Sequence, residues 1–172
     1  DRFRKRVIFP IHNHLGKVVG FAGRALDPND KAKYMNSPET PIYNKSKILY
    51  GLWKTKKNII NKNSVLIVEG YMDFLKMYQS KFDNIVAVSG TAFTDGHALQ
   101  IKRLCDKTIL LYDGDEAGRK AALRTGYLCL KYNLEPFIVQ IPDGLDPDDW
   151  ITKNGEEEIN KGIDKAIGLI DF

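Results

Sequence analysis

Three clusters of acidic side chains are the residues in this sequence most able to do chemistry. They lie in the segments Glu69-Gly70-Tyr71-Met72-Asp73, Asp113-Gly114-Asp115-Glu116 and Asp143-Gly144-Leu145-Asp146-Pro147-Asp148. Carboxylates collected at one place repel one another unless cations neutralise them. Hard oxygen donors without His or Cys beside them are typical ligands of Mg²⁺ or Mn²⁺. The clusters therefore predict a divalent-metal site, provided that the fold brings them together.

The elements that must position these clusters are visible in the pattern of apolar residues. Apolar runs at 65–68, 85–88, 109–112 and 137–141 predict strands buried on both faces of a sheet, and the stretches 72–80, 95–105 and 116–132 predict helices. Strands that alternate with helices indicate an α/β fold with a central, mainly parallel sheet. Because ligands of such sheets bind beyond the carboxyl ends of the strands, the clusters are predicted to meet at one edge.

A purely structural role is also open for some of these carboxylates. Asp is a preferred N-cap of helices, and each cluster precedes a helix-like stretch, so Asp115 and Asp148 also fit as caps alone. Glu69 does not fit that role, because Glu is a poor N-cap and because Gly70 after it permits close approach of backbone or phosphate. Both interpretations stay open for the two Asp residues.

The first 60 residues follow a different pattern. Residues 7–26 predict a β-hairpin with a polar turn at 12–16, residues 27–40 a long Pro-containing loop, and residues 48–58 a short helix. The polar segment 61–64 marks a boundary. We therefore predict two domains, residues 1–60 with hairpin, loop and helix, and residues 61–172 as the metal-binding α/β domain. His97 and the two cysteines are predicted to be structural.

Charge divides the chain at about the same boundary. Residues 1–60 contain thirteen Lys and Arg but only four Asp and Glu. Residues 61–172 contain thirteen Lys and Arg and eighteen Asp and Glu, and the net charge of the whole chain is +4. The first part suits phosphates and the second suits cations.

The two cysteines have no metal-ligand spacing, which favours a reducing cytoplasm, and no apolar run reaches the length of a membrane span. The chain begins without Met, so we expect a piece of a longer protein.

The acidic segments resemble a known module. Glu-Gly-Tyr-Met-Asp at 69–73, Asp-Gly-Asp-Glu-Ala-Gly at 113–118 and Asp-Pro-Asp at 146–148 are similar to the motifs of the Toprim module, which primases, topoisomerases and some nucleases share. The segments 4–10, 20–24 and 33–40 narrow the resemblance to the bacterial replicative DNA primases. The similarity spans nearly the whole chain, with mild departures at Ala22 and Asn44, where the family commonly has Gly and His.

The resemblance implies a Toprim fold preceded by the end of a basic lobe, and a catalytic core that makes short RNA primers on single-stranded DNA by nucleotidyl transfer. It assigns metal binding to five carboxylates, with Asp73 supporting them: Glu69, Asp113, Asp115, Asp146 and Asp148. The family's basic ridge corresponds to Arg24, Lys33 and Lys45, with Arg2, Arg4 and Arg6 as nucleotide-phosphate contacts. Template bases are expected to stack on Tyr34, Tyr43 or Trp53, although packing in the core would explain these rings equally well.

The same resemblance implies the cofactors and partners. Mg²⁺ or Mn²⁺ is expected here, and zinc only in an N-terminal domain outside this sequence. Partners are single-stranded DNA, ribonucleoside triphosphates and the replicative helicase, the last through a region absent here, with no membrane contact. The chain is expected to be a monomer that cannot start primers by itself, from a cytoplasmic protein of the replication fork.

Three alternatives compete with the primase interpretation. Asp113-Gly114-Asp115 could serve a haloacid-dehalogenase-like phosphatase, but that family has its motif after the first strand and before a Thr, whereas here it follows the third predicted strand and precedes Glu116. Another Toprim enzyme, such as a nuclease or a topoisomerase, is the second. A non-catalytic nucleic-acid-binding module with a degenerate metal site is the third, and metal titration would distinguish it.

Overall fold

A computed structural model describes residues 2–172, and its first part is a small antiparallel sheet. Strands β1 (Arg6–His12), β2 (Val18–Ala25) and β3 (Tyr34–Asn36) pair in that order. The hairpin predicted at 7–26 is confirmed. The segment 27–40, predicted as a loop throughout, contains β3, because its prolines lie at positions 28 and 38 and leave 34–36 free to pair with β2.

The second part is a five-stranded sheet, which confirms the predicted α/β class. Its order is β5-β4-β6-β7-β8, and the first four strands are parallel, while β8 pairs antiparallel with β7 at the edge. The bounds are β4 (Ser64–Val68), β5 (Ile85–Ala87), β6 (Lys107–Leu110), β7 (Glu135–Ile138) and β8 (Ile167–Gly168). The runs at 109–112 and 137–141 were both predicted two residues too late, because Lys107 and Thr108 of β6 pair with Glu135 and Pro136 of β7, outside the apolar runs.

Six helices flank this sheet. They are α1 (Leu52–Lys62), α2 (Tyr71–Gln79), α3 (Asp95–Lys102), α4 (Glu116–Lys131), α5 (Pro147–Asn154) and α6 (Glu156–Asp164), and a 3₁₀ helix (Lys45–Lys47) precedes them. The strands alternate their side chains between two cores. Val65 and Ile67 of β4 pack with α1, α3 and α4, whereas Leu66 and Val68 pack with α2, α5 and α6. The result is a sheet between two layers of helices.

The small sheet joins the large one through aromatic packing. Phe9 stacks on Tyr71 at the start of α2, with ring centroids 5.2 Å apart, and the Tyr50 ring meets Tyr71 edge-on at 4.8 Å. Tyr50 also exchanges two backbone hydrogen bonds with Ala87 at the β5 edge, of 2.9 and 3.1 Å. These contacts fix the small sheet beside the carboxyl ends of β4 and β5.

Helix α1 shares the core of the large sheet. Its buried residues Leu52 and Ile59 pack with Val65 and Ile67, although they lie before the boundary predicted at residue 60. The helix begins at 52 rather than at the predicted 48, because Ile48 is extended, Tyr50 pairs with Ala87 of β5, and Gly51 turns the chain at a φ of +83°. The division of the chain into two domains stays a prediction. None of the helices in residues 2–172 is both long and apolar enough to cross a membrane.

Candidate active site

Glu69 and Asp113 lie on neighbouring strands at the same edge of the sheet. Glu69 directly follows β4 and Asp113 closely follows β6, and β4 and β6 pair in parallel. The Asp113 backbone N–H donates to Glu69 Oε1 over 3.4 Å. Both residues line an open cleft of about 960 Å³, together with Asp73 and Asp146. The fold therefore brings members of all three acidic clusters to one cleft.

Burial and mutual repulsion change how these carboxyl groups titrate. The pKa of Asp113 rises to about 7, first because the group is partly buried and then because Glu69, Asp73, Asp146 and Asp115 repel its negative charge. Burial also raises the pKa of Glu69, and Asp115 adds to the rise, while the hydrogen bond from Asp113 opposes it. The carboxylates of this site therefore have too little positive charge near them to offset their mutual repulsion.

Asp73 supports the site from the first turn of α2. Its side chain is buried, and Oδ2 accepts a 2.9 Å hydrogen bond from the Gly70 N–H. Burial, and then the charge of Asp146, raise the pKa of Asp73 to about 6. A Cβ on Gly70 would lie 2.8 Å from this Oδ2. The close approach predicted at Gly70 is therefore made, in this structure, by the Asp73 carboxylate.

The capping alternative holds for Asp115 and not for Asp148. Asp115 Oδ1 accepts a 2.7 Å hydrogen bond from the Gly118 N–H and caps α4. At α5 the cap is Asp146, whose Oδ1 accepts from the Asp149 N–H over 2.6 Å. Asp148 lies in the first helical turn instead, where burial and Asp146 raise its pKa. A cap uses one carboxylate oxygen, so the second oxygen of Asp115 and of Asp146 can still ligate a cation.

Two glycines allow close backbone approach in the loop between β6 and α4. A Cβ on Gly114 would lie 2.2 Å from the Pro142 carbonyl oxygen, and a Cβ on Gly118 would lie 2.2 Å from that of Asp113. The Gly114 N–H donates to the Leu145 carbonyl over 2.8 Å. The Gly114 contacts hold the loop after β6 against the loop after β7, whereas Gly118 lets the first turn of α4 pack on the Asp113 backbone.

The donor set suits a hard divalent cation by its chemistry. It consists of carboxylate oxygens only, and its negative charge is partly opposed by the cations Arg124 and Lys76. As the side chains of residues 2–172 are placed, no three of His, Cys, Asp or Glu come together as ligands of one ion. Four of the six carboxylates, Glu69, Asp73, Asp113 and Asp146, line the cleft, whereas Asp115 and Asp148 are not among its lining residues, so joint ligation would require side chains to rearrange.

The predicted cations of the small sheet differ in their availability. Arg6 is not open to a nucleotide here: its side chain is only 5% exposed, and its guanidinium bonds Asp30 and the Ala32 carbonyl, both at 2.6 Å. Arg2, Arg4 and Lys33 are exposed. Arg24 is half-buried, with its guanidinium 5.9 Å from the Tyr34 ring centroid. Lys45 lines a small crevice with Tyr71 and Ser89, beside the β4 and β5 ends.

The predicted stacking rings also separate. Tyr43 is buried in the core of the small sheet, which assigns it to packing. Trp53 is 41% exposed but lies against His12, with ring centroids 4.9 Å apart, far from the acidic residues in the sequence. Tyr34, 37% exposed and next to Arg24, is the ring whose surroundings best suit a nucleobase.

Three cleft residues were not predicted from the sequence. Arg124 and Tyr127 of α4 and Phe93 of the β5–α3 loop line the same cleft as Glu69 and Asp113. The available signal was the spacing of 124, 127 and 131 along α4, which places Arg, Tyr and Lys on one helix face. That signal is weak by itself, because exposed helix faces commonly carry such residues.

Comparison with known proteins finds two family models, which match separate parts of the chain. Residues 1–56 match the family model of the DNA primase catalytic core, N-terminal domain, and residues 66–151 match the Toprim-like family model. The chain is 45% identical over 172 residues to the DNA primase of Clostridium acetobutylicum, a match that covers all of this chain and 28% of that protein. The chain thus spans under a third of the length of such relatives.

Solved structures agree with this similarity. The Aquifex aeolicus primase, in a structure of its zinc-binding and RNA polymerase domains, matches with a TM-score of 0.93 and 37% identity over 98% of this chain and 42% of that one. A primase catalytic domain bound to single-stranded DNA matches with a TM-score of 0.91 and 40% identity over 99% of this chain and 55% of that one. These similarities do not favour the phosphatase alternative.

Proposed function

The chain belongs to the Toprim-like family, and from this premise we propose that it is the catalytic-core portion of a DNA primase, an enzyme that synthesises short RNA primers on single-stranded DNA. The observation that carries the proposal is that Glu69 and Asp113 lie at the ends of adjacent strands, in an open cleft. The small sheet (β1–β3), from the basic part of the chain, lies beside this cleft. The match of residues 1–56 to a primase-specific model supports this function over that of other Toprim enzymes.

Metal binding in this function falls to Glu69, Asp113, Asp115, Asp146 and Asp148, with Asp73 in support. When bound, Mg²⁺ or Mn²⁺ would neutralise the triphosphate and ease formation of the nucleophilic 3′-alkoxide. The raised pKa values of Asp113 and Asp73 support this role, because a carboxylate at a cation-deficient site gains most from a bound cation. Gly114 keeps the loop after β6 against the loop after β7.

The nucleic-acid and nucleotide contacts fall to the cations of the small sheet. Arg24, Lys33 and Lys45 would bind phosphates of the template or the nucleotide, and Arg2 and Arg4 those of the nucleotide. Tyr34 would offer a face for stacking. Arg6 is left out of this set, because its guanidinium is already satisfied by Asp30 and backbone carbonyls. It stabilises the loop before β3 instead.

Partners beyond the template belong to the same proposal. They are ribonucleoside triphosphates and, through regions outside this chain, the replicative helicase, in a cytoplasmic protein at the replication fork. Zinc would belong to another domain. We propose that the chain itself is monomeric. A non-catalytic module with a degenerate site would bind no divalent metal, and the intact carboxylate set argues against it.

The test is primer synthesis by the full-length protein that contains these residues. Glu69→Gln and Asp115→Asn should each lower synthesis at saturating Mg²⁺ by about 100-fold or more, an effect typical of losing a charge-stabilising group. Folding should be retained, because both changes relieve repulsion. Glu157→Gln, at an exposed position of α6, is the matched control. Near-normal synthesis by both site variants would refute the proposed function.

A further inference from the structure

Besides the acidic residues, the cleft is lined by side chains of a different chemistry, among them Phe93, Arg124 and Tyr127. We propose that Arg124, Tyr127 and Phe93 form a nucleotide-binding wall, which holds one nucleoside phosphate unit next to the carboxylates by stacking its base and pairing its phosphate. The proposal deepens the proposed function and rests on it for the identity of the reaction, while the binding itself is tested separately.

Arg124 is the cation placed for this role. It is exposed, lines the cleft, and has no ion pair with any residue in 2–172. Its neighbours on α4 are committed elsewhere: Arg119 pairs with Asp143 at 2.9 Å and Lys120 with Glu116 at 2.5 Å. Arg124 lines the same cleft as Glu69 and Asp113. Its guanidinium is therefore available to a phosphate beside the acidic residues.

Tyr127 is the ring placed for a base. It lies three residues after Arg124, so the two side chains share one face of α4. Its side chain is 66% exposed, the most exposed ring among the large exposed hydrophobic residues of the described chain. An open aromatic face next to a free guanidinium is the combination that proteins use for nucleotides without sequence preference.

Phe93 is the third member of the wall, and Lys131 is a further residue of the cleft lining. Phe93 lines the cleft from the β5–α3 loop and is only half-buried, held in place by its contact with His97 at 5.6 Å between ring centroids. Lys131 also lines the cleft, and it pairs with Asp95 at 2.7 Å. Because Lys131 is neutralised, Arg124 is the principal positive charge that a ligand in the cleft would meet.

The chemistry identifies the ligand class but allows two sources. A base on Tyr127 with a phosphate on Arg124 fits either a free ribonucleoside triphosphate or the terminal nucleotide of a nucleic-acid strand. Both would bring a phosphate to the acidic residues. The experiment therefore measures them in parallel, with ATP and with a short single-stranded oligonucleotide as the two probes.

Binding of both probes is measured in the full-length protein with Mg²⁺. Tyr127→Ala is expected to weaken binding of at least one probe by roughly 5- to 100-fold, the range for loss of one stacked base, while Tyr127→Phe keeps wild-type affinity. Arg124→Gln should weaken binding of the same probe, and for the oligonucleotide should flatten the salt slope by about 0.7. Lys120→Gln, one turn earlier and outside the cleft, should change neither.

The outcomes are distinguishable. An effect on ATP alone identifies a triphosphate site, and an effect on the oligonucleotide alone identifies a strand-terminus site. Unchanged affinity for both probes in Tyr127→Ala and Arg124→Gln overturns the proposal. If Tyr127→Ala lowers the melting temperature, Arg124→Gln, an exposed single change, decides alone. If the wild-type protein makes no primers but Tyr127→Ala still weakens binding, the proposed function fails and the nucleotide site stands.

Discussion

Asp113 is the residue at which burial and repulsion by neighbouring carboxylates act in the same direction. Its pKa of about 7 lies well above the ordinary value for Asp, although its side chain is only half-buried. The folded protein therefore holds a proton at Asp113 at a pH where the unfolded chain has lost it. Stability that depends on this group is present at low pH and is lost as the pH rises through about 7.

We expect Asp113→Asn to be more stable than the wild type without divalent metal, and the difference should grow between about pH 4 and pH 7. Its plateau should reach roughly 1–2 kcal/mol after allowance for solvent screening at a half-exposed site. Urea unfolding at a series of pH values, with EDTA present, measures it. Asp164→Asn, exposed at the end of α6, is the control. A difference that does not change with pH would contradict the assignment.

The chemistry of the site could be predicted from single residues, but their electrostatic state could not. Residue types and their positions after apolar runs predicted that Glu69 and Asp113 belong to one site. The rise in the pKa of Asp113 depends on β4 and β6 being neighbours, which no local pattern determines. Arg6 shows the same limit, because its burial depends on where the chain places Asp30 and Ala32.

At the scale of elements, α3 holds the 3₁₀ helix that carries Lys45. Three of its side chains bond three successive carbonyls: Thr94 Oγ1 donates to Ser46 at 2.6 Å, Gln100 Nε2 donates to Lys47 at 2.6 Å, and His97 Nε2 lies 2.9 Å from the Lys45 oxygen. His97 is fully buried, burial lowers its pKa, and its Nδ1 accepts the Thr94 N–H over 3.3 Å, so Nε2 is the nitrogen that donates to the Lys45 carbonyl. The structural role predicted for His97 is confirmed.

We expect His97→Phe to destabilise the protein by about 1–3 kcal/mol, because the substitution leaves the Lys45 carbonyl without its donor. Loss of the bond should also free the 3₁₀ helix, so amide hydrogen exchange should increase at residues 45–48. The increase should exceed that of β4 in the same protein. His14→Phe, in the exposed hairpin turn, is the control for the ring exchange. Unchanged exchange at 45–48 would show that Thr94 and Gln100 hold the segment without His97.

Element boundaries show what sequence patterns could and could not predict. The buried strands β4 and β5 were predicted to within a residue from their continuous apolar runs, whereas β6 and β7 each begin two residues before the predicted run. Strand β3 and the start of α1 were missed for a shared reason. Both are set by pairing with distant segments, β3 with β2 and Tyr50 with Ala87, and such long-range partners leave no mark on local composition.

At the scale of the whole molecule, the acidic cleft lies beside the small sheet (β1–β3), which belongs to the basic part of the chain. The division of charge seen along the sequence persists in space, because the small sheet packs beside the carboxyl ends of β4 and β5 through Phe9 and Tyr71. A nucleic-acid strand bound along the small sheet would have its phosphates neutralised there and its reacting end near the acidic residues. Neither part has both properties by itself.

We expect the cations in the first part of the chain to contribute to single-strand binding through phosphate contacts. In the full-length protein, Arg24→Ala, Lys33→Ala and Lys45→Ala should each weaken binding with little sequence dependence and flatten the salt slope by roughly 0.7. Lys153→Ala, on α5, should leave the slope unchanged. Fluorescence anisotropy at several salt concentrations measures it. A slope that stays constant after all three changes would locate the path of the nucleic acid elsewhere.

The last expectation concerns residues 1–172 taken alone, which should bind Mn²⁺ but start no primers. De novo initiation must hold two nucleotides and a template before any stable duplex exists, and that ordering has to be offset by many positioning contacts. The chain covers only 28% of a curated primase relative, so most of such contacts would come from other parts of the protein. Calorimetric titration with Mn²⁺ and a template-directed synthesis assay with ribonucleotides measure the two properties. Binding should be lost in Glu69→Gln and synthesis restored only in the full-length protein. Primers made by residues 1–172 alone would show that the acidic cleft and the small sheet suffice for initiation.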